Sequence, residues 1–357
     1  MKYVLLICFL AFGFSQEIQE EPNSSSEDTR LFEDERPLKV HIKGNIASLL
    51  SDRGAKVQYH PMVLRYQDGA KQSEMHACKL KARGNFRRQK RNCSYPPLWL
   101  NFPKKNIPKA SIFQGQNKLK IVMPCKGDRY VKREYMVYKL HQLLSPRSFK
   151  VRLLELNLED ATSSKSFKPK LAFLIEAEEK LAERLEAELD KMNLYGPKDL
   201  ETSSFLEMAV FEFLIANTDW SVQYKHNIKI IKREEDNSFI PIAYDFDHAG
   251  LVSAPYAQPA EELGLSSVRS RRFRGYCPSE VMPELEKVWK RFLDKKEAVF
   301  ALYQQSEILD EKDKKFSLKF LEKFFEILEN EKKRERLFNY PCDPNGTGNI
   351  VIRGLNN

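Results

Sequence analysis

The chain has 357 residues, 42% hydrophobic, 11% aromatic and 31% charged, which is an ordinary globular composition with room for one large domain or two smaller ones. Its 59 basic against 50 acidic residues leave a net charge of +9, a mild excess that excludes a polycation. Such a balance fits phosphate-bearing ligands or an anionic surface, and a solvated basic face equally well.

Met1-Lys2, the apolar run Tyr3–Phe14 and the polar Ser15-Gln16-Glu17 have the layout of a signal peptide over residues 1–16. The run is too short to span a bilayer, which takes roughly 20 apolar residues. No later segment is long and apolar enough either, so a secreted or periplasmic protein without a transmembrane anchor is expected. Residues 17–37, rich in Glu, Ser, Asp and Asn, read as a disordered leader. Export permits disulfides. Without Cys8, five cysteines remain: Cys78, Cys93, Cys125, Cys277 and Cys342. A bridge among the first three is expected, with the pairing open.

From Leu38 to about Met123 the pattern is strand-like. Val57–Tyr66, the turn Gln67-Asp68-Gly69 and Met75–Ala82 make a hairpin, and Leu98–Phe102 and Lys118–Met123 are further strands. Tyr130–Leu144 carries the apolar stripe of an amphipathic helix. Val151–Leu158 and Leu171–Glu176 are strands. Glu178–Met192 reads as a charged helix and Leu200–Ala216 as one buried on most sides. Two short β segments follow, Ile228–Ile231 and Phe239–Ala243, then helical patterns at Leu285–Phe292, Ala298–Leu309 and Leu318–Leu328. The expected organisation is a β-rich lobe over residues 38–176, a helical lobe over 177–340 and an irregular tail over 341–357, with a ligand between the lobes.

The residues most open to chemistry are Asn217-Thr218-Asp219-Trp220, Lys225-His226-Asn227 and Tyr244-Asp245-Phe246-Asp247-His248-Ala249-Gly250. Asp219 follows an apolar helix, Asn227 opens a strand, and Asp245 closes the next one. A hairpin brings such ends together, so Asp219, Asn227 and Asp245 are expected to converge. One or two carboxylates with an amide oxygen suit Mg²⁺, which keeps positions for water and phosphate. A carboxylate just outside that shell can deprotonate a hydroxyl. The plainer alternative is that these Asp and Asn residues cap helices and build turns.

The order Asp219…Asn227…Asp245 resembles the catalytic loop and metal-binding turn of protein-kinase-like folds. With Arg83-Gly84-Asn85 upstream and Tyr244-Asp245-Phe246-Asp247 downstream, it is most similar to the CotH kinase family of spore-coat and secreted atypical kinases. The Asn-Thr-Asp…His…Asn run also resembles HipA-type kinases. The resemblance implies an α+β, bilobal protein-kinase-like fold and transfer of phosphate from Mg-ATP (or Mn-ATP) to a hydroxyl acceptor, on a protein or a small molecule. It implies Asp219 as catalytic base, Asn227 and Asp245 as metal ligands and Asp247 as an accessory ligand. Asp219 and Asn227 are eight positions apart, longer than in ordinary protein kinases, so the loop must bulge or the roles shift.

A kinase-like site also needs a cation on the phosphates, usually held by a helix glutamate. Lys120, or Lys118 of the same strand parity, precedes the helix containing Glu134, and Glu176 stands where a hinge between lobes would be. Arg83, Arg87, Arg88, Lys90 and Arg91 surround Gly84-Asn85, a turn able to hold phosphate. A second cluster lies at Arg269, Arg271, Arg272 and Arg274. Neither forms a long stripe interleaved with aromatics, so nucleic acid is not an expected partner. The alternative classes are an inactive CotH-like extracellular binding or surface-assembly protein, and a metal-dependent hydrolase using the same carboxylates.

Overall fold

The structure is a computed structural model that describes residues 31–67, 74–103, 107–163, 167, 170–190, 195–275 and 278–338. The expected signal peptide, leader residues 17–30, the turn residues Asp68-Gly69 and the tail lie outside the described residues. So do Cys8, Cys277 and Cys342.

The first half of the chain supplies β1 (Leu38–Gly44), the short helix α1 (Ile46–Ser51), β2 (His60–Gln67), β3 (Glu74–Ala82), β4 (Leu98–Asn101) and β5 (Lys118–Val122). Helix α2 (Asp128–Leu144), β6 (Val151–Asp160) and β7 (Lys170–Ile175) follow. The seven strands close into a barrel in the order β1-β2-β3-β4-β5-β7-β6. Every pairing is antiparallel except the closing one, where β1 runs parallel to β6 from Leu38↔Leu154 to Gly44↔Asp160.

That closure overturns the expected bilobal protein-kinase-like fold. Six of the strands were legible one by one and β1 lay in a stretch read only as strand-like, but the bond between β1 and β6 joins segments more than a hundred residues apart, and it removes the free edges of an open sheet. The barrel interior is apolar, filled by Val40, Ile42, Leu64, Leu80, Leu100, Leu119, Ile121, Leu156 and Leu174. Leu31 is also fully buried there, and Arg152 donates to its carbonyl at 3.2 Å.

The remainder holds α3 (Glu178–Arg184), β8 (Ala187–Leu189), α4 (Thr202–Ile215), β9 (Ile228–Arg233), β10 (Phe239–Ala243), α5 (Pro278–Asp294), α6 (Lys296–Gln304), α7 (Glu311–Glu329) and α8 (Glu331–Leu337). The helix expected over Glu178–Met192 stops at Arg184, because Glu186 takes a positive φ of 50° and Ala187–Leu189 pair with β9 instead. A sheet edge outcompetes helix propensity there. Strands β10, β9 and β8 form a second, three-stranded sheet.

A second apolar core joins the outer face of the barrel to this part. Val122, Leu153, Phe173 and Ile175 point outward from β5, β6 and β7 onto α2, α4 and the β9–β10 hairpin. Strands buried on both faces lose the two-residue alternation, as at Leu153 and Leu154, which enter different cores. Twelve of the fourteen residues of α4 are buried, in keeping with its unbroken apolar run. Arg133 of α2 ties α7 to this core through Asp313 at 2.7 Å. No helix among the described residues is long and apolar enough to cross a membrane.

Candidate functional site

One cleft lies where the outer face of β5 and β7 meets the β9–β10 hairpin. It is lined by Arg83, Gly84, Asn85, Lys120, Asp219, Asn227, Asp245 and Asp247, together with Phe86, Arg87, His226, Tyr244 and His248. Eight residues singled out in the sequence therefore share one wall-to-wall space. Lys118, Glu134 and Glu176 do not line it.

The acidic side is built by turns. Helix α4 ends at Ala216 in the left-handed region, and Asn217 accepts the Asp219 N–H on its side-chain oxygen at 3.1 Å. The next residues loop out and return: Ser221 and His226 exchange backbone hydrogen bonds of 2.9 and 3.0 Å. This closed turn accommodates the eight-position spacing, because it brings Asn227 back beside Asp219. The Asn227 amide donates to the Asp219 carbonyl at 2.7 Å and to its Oδ2 at 3.1 Å, while His226 Nε2 lies 2.9 Å from Oδ1. Asp219 is thus oriented on both carboxylate oxygens.

The hairpin register pairs Ala243 with Ile228, so Asn227 and Tyr244 are next in line, joined by a 3.1 Å backbone bond. Asp245 follows with φ of 64°, and Asn227 itself has φ of 51°. Asp and Asn tolerate this left-handed backbone better than most residues, and such conformations gather where a fold fixes a functional geometry. Phe246 anchors the turn among Tyr138, His141 and Phe211, leaving Asp245 and Asp247 on the cleft side. Tyr138 also accepts the Asp245 N–H at 2.9 Å. Downstream, Gly250 donates to Ala216 O at 3.0 Å, and a Cβ there would fall 2.5 Å from Val268 O, so only glycine lets the turn dock on the end of α4.

The cationic side belongs to the barrel. Lys120 is buried, 2.8 Å from Glu178 Oε1, and its ammonium lies 4.4 Å from the centre of the Tyr244 ring. Burial pushes this ammonium down to about 8, Arg83 and Lys229 add to the fall, and Glu178 opposes it. Gly84 turns the neighbouring loop with φ of 79°. The glutamate that meets Lys120 is therefore Glu178 on α3, not the expected Glu134 on α2.

Glu134 instead meets Arg87 at 3.3 Å, and Arg87 reaches Asp247 at 3.5 Å and the Met123 carbonyl at 2.7 Å. Burial raises both carboxyls, and Arg87 opposes that rise. Tyr256 donates to Asp247 at 3.1 Å. Glu176 is a structural anchor: its carboxylate takes Arg184 at 2.9 Å and the Lys150 N–H at 3.0 Å. Lys118 stands exposed outside the cleft, 4.0 Å over the Trp99 ring.

Sequence reasoning assigned no role to His226, Glu178, Tyr244, Tyr256 or the buried Glu212. His226 had a readable signal, its place beside Asn227. On its own burial would lower the imidazole, but the hydrogen bond to Asp219 and the charges of Asp219, Asp245 and Asp247 outweigh it and raise it. Glu212 had none, since it looks like any helix glutamate, yet burial pushes its carboxyl well above the usual range. The expected bridge is Cys93–Cys125, with Cys78 free and buried, and it clasps the loop after Arg91 to the segment after β5.

Among the described residues no three His, Cys, Asp or Glu side chains form a metal cage. What the cleft does offer is an amide whose NH₂ is spent on Asp219, leaving its oxygen as an acceptor, beside Asp245 and Asp247. That donor set fits a cation that keeps water and phosphate in its shell, as Mg²⁺ does, rather than one held by protein alone.

No protein family and no curated protein matches this chain. A solved structure, the proinflammatory kinase CtkA of Helicobacter pylori, is similar over 67% of this chain and 94% of its own, at 9% identity and a TM-score of 0.39. A likeness at that level establishes no shared fold, and the CotH resemblance stands on its short motifs alone.

Proposed function

We propose that the cleft is a phosphotransfer site that moves phosphate from Mg-ATP to a hydroxyl acceptor, in an exported protein. The observation that carries this reading is the polarity of the cleft, with Lys120 and Arg83 on one side and Asp219, Asn227, Asp245 and Asp247 on the other. A polyphosphate is the ligand such a division suits, because its oxygens can meet fixed cations at one end and a bound metal at the other.

Asn227 and Asp245 would hold the Mg²⁺ (or Mn²⁺), with Asp247 alongside, and the metal would neutralise charge on the phosphates. Lys120 and the Arg83-Gly84-Asn85 turn would hold the remaining phosphate oxygens. Asp219 orients the acceptor hydroxyl and takes its proton; the hydrogen bonds from Asn227 and His226 fix that carboxylate in place. The Cys93–Cys125 bridge supports an oxidising compartment.

The test is incubation of the purified chain with γ-labelled ATP and Mg²⁺ or Mn²⁺. Label should pass to the protein or to a generic hydroxyl acceptor, and Asp245→Ala should abolish metal-dependent nucleotide binding. Absence of label, together with no thermal shift from Mg-ATP, overturns the reading.

A further inference from the structure

The face of β3, β4 and β5 that turns away from the barrel interior is basic, and it runs into the cleft. Leu80, Ala82, Leu98, Leu100, Leu119 and Ile121 are buried on the inner side. Their alternates Lys79, Lys81, Trp99, Asn101, Lys118 and Lys120 share the outer side. The strand registers set Lys81, Trp99 and Lys120 in one row, and Lys79, Asn101 and Lys118 in the next.

Trp99 sits at the middle of this face, with Lys118 4.0 Å and Arg83 5.1 Å from its ring centre, and Lys81 covers Tyr59 at 5.3 Å. Lys79 and Lys118 are exposed, and neither forms an ion pair among the described residues. Lys120, at the end of its row, is the lysine of the cleft.

We propose that this face docks the chain's own acidic segment, Glu17–Thr29. The segment carries Glu17, Glu20, Glu21, Glu27 and Asp28 with no basic residue, and between those acids stand Ser24, Ser25 and Ser26, with Thr29 after them. One basic residue, Arg30, separates it from Leu31, which is held in the barrel. Thirteen extended residues reach on the order of 40 Å, enough to round a small barrel. Charge complementarity selects the segment, and continuity of the face with Lys120 delivers one of its hydroxyls to the cleft.

This rests, for its chemical half, on the phosphotransfer reading. The serine or threonine oxygen forms a bond to the γ-phosphorus of a nucleoside triphosphate, the bond to the bridging oxygen breaks, the diphosphate leaves, and the hydroxyl proton passes to Asp219. The docking half stands without it.

Zero-length carbodiimide coupling of the full chain, followed by mass spectrometry, tests the docking. Acids of residues 17–28 should be joined to Lys79, Lys81 or Lys118, and Lys79→Glu with Lys81→Glu should lose the links to this face at an unchanged melting temperature. Links absent, or made to lysines elsewhere, overturn the proposal. So does a single-stranded oligonucleotide that photo-crosslinks to Trp99 while the segment stays unlinked, since that assigns the face to nucleic acid.

After Mg-ATP treatment, phosphate is expected on Ser24, Ser25, Ser26 or Thr29. Links without any phosphate keep the docking and overturn the phosphotransfer reading. Phosphate elsewhere without links does the reverse.

Discussion

The chain carries two arginine clusters that look alike in sequence and end in opposite places. Arg83–Arg91 surrounds a glycine turn and opens Arg83 onto the cleft. Arg269–Arg274 is mostly structural. Arg274 donates to Trp220 O at 2.7 Å and Thr218 O at 3.3 Å, and its guanidinium lies 4.1 Å over the Trp220 ring. Arg271 donates to Leu214 O in the last turn of α4 at 3.2 Å and to Phe320 O in the middle of α7 at 2.7 Å, and Arg269 meets Ser253 at 2.8 Å. The difference is set by what each cluster finds. The second meets the end of α4 and the loop after it, whose spare carbonyls need donors once buried. The first is presented on a turn where only Arg87 goes inward. A basic cluster is thus a candidate anion site only after the backbone carbonyls nearby have taken their share.

Arg87 is the sharpest way to break that contrast, because it sits in the first cluster and behaves like the second. Arg87→Ala would leave Glu134 and Asp247 buried without their shared cation, and removing one partner of a buried pair costs about 3–5 kcal/mol. The measurement is the denaturant midpoint, and a loss within experimental error would show that the pair is not closed in solution. Arg274→Ala comes next. It orphans two buried carbonyls of the Asp219 loop, at about 1–3 kcal/mol for each group left unsatisfied, and should cost both stability and whatever binding depends on that loop. Arg274→Lys should recover little, since one ammonium cannot reproduce the flat guanidinium on Trp220.

Arg83→Ala gives the opposite pattern. Its side chain meets no carbonyl or carboxylate among the described residues, so the melting temperature should stay put. Nucleotide affinity should fall by roughly tenfold, the loss of one charge-assisted contact at about 1.5 kcal/mol. A drop in stability with unchanged affinity would move Arg83 to the structural class.

What the sequence disclosed follows the same division between local and distant causes. Strands β2 to β7 of the barrel, the buried helix α4 and the β9–β10 hairpin were readable because alternation and apolar runs are local. The convergence of Asp219, Asn227 and Asp245 was readable too, since a hairpin must bring its ends together. Barrel closure by β1 and β6 was not, and neither was the change from helix to strand at Glu186, where a sheet edge formed by distant residues decides. The partner of Lys120 was misassigned for the same reason. Glu134 and Glu178 are both helix glutamates near the right place in the chain, and only the tertiary placement of the start of α3 beside Lys120 chooses between them.

Lys120 gives the finest test, because its proton reports which side of the contrast it is on. Its ammonium titrates near 8 as a result of burial, with Arg83 and Lys229 pushing the same way and Glu178 resisting. Below that value the lysine is charged and attracts an anion; above it the lysine is neutral. Affinity for triphosphate should therefore decline a few-fold as the pH rises through 8, and binding above pH 8 should take up a proton, which calorimetry in buffers of differing ionisation enthalpy would register. The variants fix the sign. Glu178→Gln removes the carboxylate that holds the lysine up and should shift the decline to lower pH, whereas Arg83→Ala removes a neighbouring cation and should shift it higher. Affinity that stays flat between about pH 6.5 and 9.5, a span across which an ordinary lysine stays charged, would take Lys120 out of the site and return it to the structural cations.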